Sequence, residues 1–440
     1  MSGVRALRIR LGTTDVGLLF AMDDGRTYFR FDDAYALDAK RPIMSQAFLG
    51  DSEEETRQQL LLAHSELTIG PGNGALPPFF SNLLPEGVLR KHLIAEGGLP
   101  PQDEFGLLAT CGEDLPGDVR AVAANLDERA LGRLVTQSRE SYELSSYQTP
   151  APHAISLSGV QPKVALMSAP RGRYVMRSKT AAGRHFIGKL PATDAAGMPE
   201  VEHTSLLLAT AAGVDCCDAE LLPLSAIADR LPFSLRDDAR TFLLVHRFDR
   251  DAVTPTRRRH MEDFAQVLEL MPANKYGGDY ASIGLALLDG SSQPERDILQ
   301  LLRRLKVNEL LGNFDAHAKN FSLLYHTPGD ARLSPAYDIV AHAVYQSGAG
   351  HGLLFWPGQK TRTALTPVVV RTLANIWDVP ESKLNAELVD TVAQAVQNWP
   401  ALISGSPMSA QQKEMLTQHF DKNASVQAWR RRNSARTSAA

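Results

Sequence analysis

The chain opens with short apolar segments separated by turn residues and closes with long helical ones. Gly17-Leu18-Leu19-Phe20 and Thr27-Tyr28-Phe29-Arg30-Phe31 flank the turn Asp23-Asp24-Gly25-Arg26, which predicts a pair of strands. Residues 51–66 begin with Asp51 and Ser52 and an acidic first turn, as a helix N-terminus does. Residues 1–125 therefore read as a β-rich unit. Residues 126–153 are polar and predict a helix, then a linker ending in Pro150-Ala151-Pro152.

A second β-rich stretch spans 154–250. Val164-Ala165-Leu166-Met167 and Arg173-Tyr174-Val175-Met176-Arg177 predict a hairpin around Ala169-Pro170-Arg171-Gly172. His185 to Leu190 reads as a strand stopped by Pro191, residues 200–212 as a helix ended by Gly213, and Phe242 to Val245 as an apolar strand. Residues 251–428 are mostly helical. Ile298, Leu301, Leu302 and Leu305 repeat at helical spacing between Pro294 and Gly312. Residues 429–440 hold Arg430, Arg431, Arg432 and Arg436 and read as a frayed, disordered tail. The expected fold is α+β: a β-rich N-terminal subdomain, then a small β lobe and a large helical lobe on the two-lobed protein-kinase plan.

Composition changes little in this picture. Hydrophobic residues make up 44% and charged residues 22% of 440, as in a globular protein with a sizeable core. A net charge of -4 gives no reason to expect broad nucleic-acid affinity. Cys111, Cys216 and Cys217 form no CxxC spacing, which suits a reduced cytosolic setting. The first residues lack a signal-peptide core, and no apolar run approaches the roughly 18 residues of a membrane span.

Chemistry concentrates in Gly312-Asn313-Phe314-Asp315-Ala316-His317-Ala318-Lys319-Asn320-Phe321-Ser322. Phosphoryl transfer needs a carboxylate to orient the acceptor hydroxyl and an oxygen ligand for the metal on the phosphates. Asp315 and Asn320 have the Asp-x-x-x-x-Asn spacing that kinases use for both. Such a pair also occurs as ordinary turn residues after a helix. Asp338, in Tyr337-Asp338-Ile339, adds a second acid downstream, where kinases place their other Mg²⁺ ligand. Lys189 lies mid-strand in an apolar segment and needs a partner if buried. It reads either as a phosphate-neutralising lysine held by Glu202 or as a lysine snorkelling from an edge strand.

Gly183 to Lys189 matches most of a Walker pattern, but Leu190 lacks the hydroxyl and Pro191 forbids the helix that must follow. Ser156-Leu157-Ser158-Gly159-Val160-Gln161-Pro162-Lys163 stands where a kinase keeps its glycine-rich loop, though with one glycine. The histidines form no HExxH or zinc spacing, and no GxSxG occurs. His260-Met261-Glu262-Asp263 reads as a polar helix face rather than a metal site.

Together these segments resemble the HipA family over nearly the whole chain. The likeness includes Phe79-Phe80-Ser81-Asn82-Leu83-Leu84-Pro85-Glu86-Gly87, Gly112-Glu113-Asp114-Leu115-Pro116-Gly117, Ser158 to Lys163, Val245-His246-Arg247-Phe248-Asp249-Arg250, Lys275-Tyr276-Gly277, the Asp315 loop and Tyr337-Asp338-Ile339. The resemblance implies a serine/threonine-protein kinase using ATP and Mg²⁺, with Asp315 as base and Asn320 and Asp338 on the metal. The implied ATP contacts are Leu157, Ser158, Gly159, Val160, Gln161, Pro162 and Lys163 in the phosphate loop, and Lys189 with Glu202. His246, Arg247 and Phe248 at the interlobe linker, then His317, Ala318, Lys319, Asn320, Tyr337 and Asp338, complete the set.

Ser156 matches the position at which the family inactivates itself by autophosphorylation, with Ser158 a close rival. Family members act as toxins. They are neutralised by a helix-turn-helix antitoxin through which they reach operator DNA. They phosphorylate an aminoacyl-tRNA synthetase, causing growth arrest and persistence. Pro162 departs from the acidic residue of some members' phosphate loop, and Phe314 from a small polar residue before the base. Two other readings use the same residues: a catalytically silent corepressor, and a small-molecule kinase of similar fold. The intact set Lys189, Asp315, Asn320 and Asp338 argues against the first.

Overall fold

The computed structural model describes residues 2–62, 65–124, 142–144, 161–176, 184–191, 195–229, 231, 235, 239–251, 254, 257–346, 348 and 350–437. The N-terminal sheet has the order β3-β2-β1-β4, formed by β1 (Ser2–Leu11), β2 (Thr14–Met22), β3 (Thr27–Phe31) and β4 (Val119–Ala123). Leu7, Ile9 and Leu11 alternate with Arg8 and Arg10 along β1, so one face joins a core with Phe29, Phe80 and Phe105. The short strand β5 (Tyr142–Leu144) runs parallel to the start of β1. It replaces part of the helix and linker expected over 126–153, whose remaining residues lie outside those described. The predicted helix after Ser52 spans Glu53–Leu61, with the Ser52 side chain accepting from the Glu55 N–H.

The small lobe is an antiparallel sheet in the order β7-β6-β8-β10-β9. Its strands are β6 (Lys163–Ala169), β7 (Arg173–Met176), β8 (His185–Lys189), β9 (Ala219–Pro223) and β10 (Thr241–His246). Val164, Leu166, Phe186, Phe242 and Leu244 pack on one face. The two-residue period turns Ile187, Leu243 and Val245 to the other, against the helix Met198–Ala211.

The large lobe is built on the helix Pro294–Leu311, whose predicted stripe Ile298, Leu301, Leu302 and Leu305 is wholly buried. Each such side chain contributes about 1.5–3 kcal/mol of burial. Gly312 ends the helix at φ 66°, a left-handed cap that turns the chain into the Asp315 loop. A three-stranded sheet, β11 (Met261–Asp263), β12 (Ser322–Tyr325) and β13 (Ala331–Leu333), flanks that loop.

Two sequence expectations fail in this lobe. His260 to Asp263 is not a polar helix face, since Met261–Asp263 is a strand. Buried Glu262 accepts from the Ser45 hydroxyl at 2.5 Å, the Gln46 N–H at 3.0 Å and the Tyr325 hydroxyl at 2.5 Å. Nor is the basic end a frayed tail. Ala424–Thr437 is a helix seated through buried Val426, and Arg430 pairs with Asp421 at 2.8 Å over the Phe420 ring. No helix among the described residues is long and apolar enough to cross a membrane.

The N-terminal unit is joined to the kinase-like part by buried charge. Arg250 donates to Asp114 at 2.9 Å, to the Leu115 and Gly117 carbonyls at 2.9 Å, and to Asp249 at 2.7 Å. Asp249 also accepts from Arg247 at 2.7 Å and from the Gly117 N–H at 2.9 Å. A Cβ on Gly117, at φ 69°, would stand 2.7 Å from the Met261 nitrogen, so only glycine fits there. Arg250→Ala should cost about 3–5 kcal/mol of unfolding free energy, because Asp114, Asp249 and two buried carbonyls each lose a donor while Asp249 keeps Arg247. Chemical denaturation checks this; a loss below about 1 kcal/mol would place the cluster with surface ion pairs.

Candidate active site

Strand register builds the centre of the site. Lys163 on β6 lies directly opposite Lys189 on β8, so both side chains leave the sheet on the same face. The Lys189 ammonium donates to Glu202 Oε1 on the helix Met198–Ala211 and to Asp338 Oδ1 from the large lobe. Burial alone would push the Lys189 amine down, but Asp338 and Glu202 outweigh it and hold it above its ordinary value. Burial would raise the Asp338 carboxyl, but Lys189 and Lys163 overcome this and hold it well below the usual range. Asp338 sits at φ 54°, a left-handed backbone that asparagine and aspartate tolerate better than most residues.

The base loop is fixed from both sides. The Asp315 carbonyl accepts from the His317 N–H at 2.8 Å, and the Asn313 side-chain oxygen accepts from the Asp315 N–H at 3.3 Å. The Tyr276 hydroxyl donates to Asp315 Oδ1. Asn320 closes a turn at Ala318–Asn320, and its buried Oδ1 has no hydrogen-bond partner among the described residues. An orphaned amide oxygen together with the Asp338 carboxylate fits a hard cation that takes its other ligands from phosphate and water. No group of three or more His, Cys, Asp or Glu among the described residues could hold a metal alone.

Asp315, Asn320, Asp338, Lys189 and Lys163 line one cavity of about 480 Å³ between the lobes, within the range of small-molecule sites. Gln161, Pro162, His246, Phe248, His317, Lys319 and Tyr337 line it too. Burial holds His317 down at about 4, so it faces the cavity neutral. Arg247 also reaches the cavity wall, but its guanidinium is engaged by Asp249. Two predicted contacts are displaced. Ala318 packs in the apolar core, and Glu202 lies behind Lys189 and acts through it. Ser156, Leu157, Ser158, Gly159 and Val160 lie outside the described residues.

The sequence reading missed the N-terminal unit's part in this cavity. Glu86 Oε1 pairs with Lys319 at 2.7 Å, and Glu86 Oε2 with Lys275 at 3.2 Å. Lys319 also donates to the Asn82 carbonyl at 3.2 Å. Burial would raise Glu86, but the two lysines hold it down at about 2. The signal was present in Asn82-Leu83-Leu84-Pro85-Glu86, where an acid follows an apolar run that must be buried.

A sequence model described as the HipA-like C-terminal domain matches residues 155–399. The chain belongs to the HipA family. A second model, the HipA N-terminal domain, matches residues 7–122. The Sinorhizobium fredii protein named "Putative kinase Y4dM" is 33% identical over 425 residues, covering 95% of this chain and 97% of that protein. The Shewanella oneidensis protein named serine/threonine-protein kinase toxin HipA is 25% identical over 294 residues, covering 61% of this chain and 63% of that one. The chain also resembles a solved structure of the Shewanella oneidensis MR-1 toxin–antitoxin system of HipA, HipB and operator DNA. That match has a TM-score of 0.65 at 19% identity and covers 97% of both chains. It establishes the HipA fold: α+β, two-lobed, with the β-rich unit in front. The cavity of this HipA-family chain is thus walled by both matched domains.

Burial pushes the Lys163 amine down to about 8, against the pull of Asp338. The folded state therefore disfavours its charged form. The penalty is complete below pH 8 and disappears above about pH 10.5. The stability of Lys163→Met relative to wild type should therefore rise as the pH falls from about 10.5 to about 8. Urea titrations of both proteins across this range test it, and a pH-independent difference would refute it.

Proposed function

We propose that this chain is an ATP- and Mg²⁺-dependent serine/threonine protein kinase. The observation that carries the reading is the convergence of Lys189, Asp338, Asn320 and Asp315 on one interlobe cavity. Adenine would enter beside the backbone of His246 to Phe248. Lys189, held by Glu202, and Lys163 would neutralise the phosphates. Asn320 Oδ1 and Asp338 would hold Mg²⁺, which screens charge on the transferred phosphoryl group. Asp315 would orient a serine or threonine hydroxyl and take its proton as the oxygen attacks the γ-phosphorus and ADP departs. Neutral His317 would face the nucleotide without adding charge.

The family and the likeness to a HipA–HipB–operator complex support a toxin role. In this reading a helix-turn-helix antitoxin neutralises the kinase and carries it to operator DNA. The cytoplasmic substrate is a translation component, an aminoacyl-tRNA synthetase, whose phosphorylation causes growth arrest and persistence. Autophosphorylation at Ser156 would switch the kinase off by placing about -1.5 to -2 charge beside the phosphate site.

Asp315→Ala should lower phosphoryl transfer by about 10²–10⁴ and abolish growth arrest while leaving thermal unfolding unchanged. Wild-type transfer by this variant would remove Asp315 from its role. Asp338→Asn should weaken ATP binding with Mg²⁺ present far more than without it, because one anionic ligand is lost. Calorimetry in magnesium and in EDTA separates the two, and equal losses would mark Asp338 as structural.

A further inference from the structure

We infer that Tyr276 is an acceptor-side gate, occupying the place at which a substrate hydroxyl must meet Asp315; the inference rests on the kinase reading. Asp315 faces two ways. It lines the interlobe cavity, while Tyr276, which is not part of that lining, donates its hydroxyl to Asp315 Oδ1 from the rim. A kinase base does its work by accepting a hydrogen bond from the acceptor hydroxyl. Tyr276 makes that bond in advance, with an O–H of the same donor type.

The ring is placed to stay there. Lys275 Nζ lies 5.8 Å and Arg362 Cζ 5.6 Å from its centroid, and the His317 ring meets it edge-on at 5.1 Å. Lys275 is anchored to Glu86 at 3.2 Å, and its carbonyl accepts from the Ala318 N–H at 3.2 Å, so the segment is tied to the base loop. Tyr276 is 38% exposed, beside an exposed Arg362, and can swing outward without opening a core. A bound serine or threonine would displace it and take over the bond. While the tyrosine hydroxyl occupies Oδ1, that oxygen cannot orient an attacking water, so the gate suppresses wasteful hydrolysis of ATP.

Tyr276→Phe keeps the ring and its cationic neighbours and removes only the hydroxyl. With no protein acceptor added, ADP release from Mg–ATP should rise roughly tenfold over wild type, the factor set by one hydrogen bond to an ionised group. The rise should vanish in Tyr276→Phe combined with Asp315→Ala. Unchanged or slower release in Tyr276→Phe, with wild type turning over, overturns the gate and leaves the kinase reading standing. No ADP release and no ATP binding by either protein overturns both.

A second measurement needs no activity. N-acetylimidazole should acetylate Tyr276, located by peptide mapping, several-fold faster in Asp315→Ala than in wild type, because the phenol loses its acceptor. Equal rates overturn the gate.

Discussion

One buried ammonium holds the two lobes in register. Lys189 leaves the small-lobe sheet and reaches Glu202 beside it and Asp338 across the cleft. Taking any one of these charges out of water alone is prohibitive, so each is tolerable only because the others are present. The rest of the cavity follows from this constraint. It fixes where the Asp338 backbone turns, how close β8 lies to the large lobe, and which oxygens face the space between.

The same logic operates at the two contacts made by the N-terminal unit. Arg250 and Asp249 weld its Gly112–Gly117 loop to the interlobe linker. Glu86 neutralises Lys319 and Lys275 at the base loop. Charge at the linker and charge at the base loop divide the work. The first sets geometry, while the second leaves Tyr276 room to move.

Much of the fold was legible because periodicity reports burial. The hairpin around Pro170, the strand ending at Lys189 and the Pro294–Leu311 helix were all visible as patterns. The failures have physical causes. Three residues of β11 are too few for a period, and its polar Glu262 is buried by partners distant in sequence. Arg430 of the last helix looks unpaired until Asp421 folds beside it. At the site, spacing identified the residues of one loop. It could not show that Lys163 and Lys189 face each other, because register is a property of two strands. Nor could it bring Glu86 to Lys319, which requires two domains to be docked.

The Glu86 contact bears on how such chains can be recombined. The boundary between the two matched domains, near residues 122–155, looks in sequence like a natural seam for exchange between relatives. A crossover there would import a front domain whose acid, loop length and docking face had been selected against another chain's lysines. A mismatched graft would leave two ammonium groups beside the base loop without the acid that bridges them. Front and back halves therefore work as a matched pair, and swapping modules between relatives should succeed only where acid and lysines travel together.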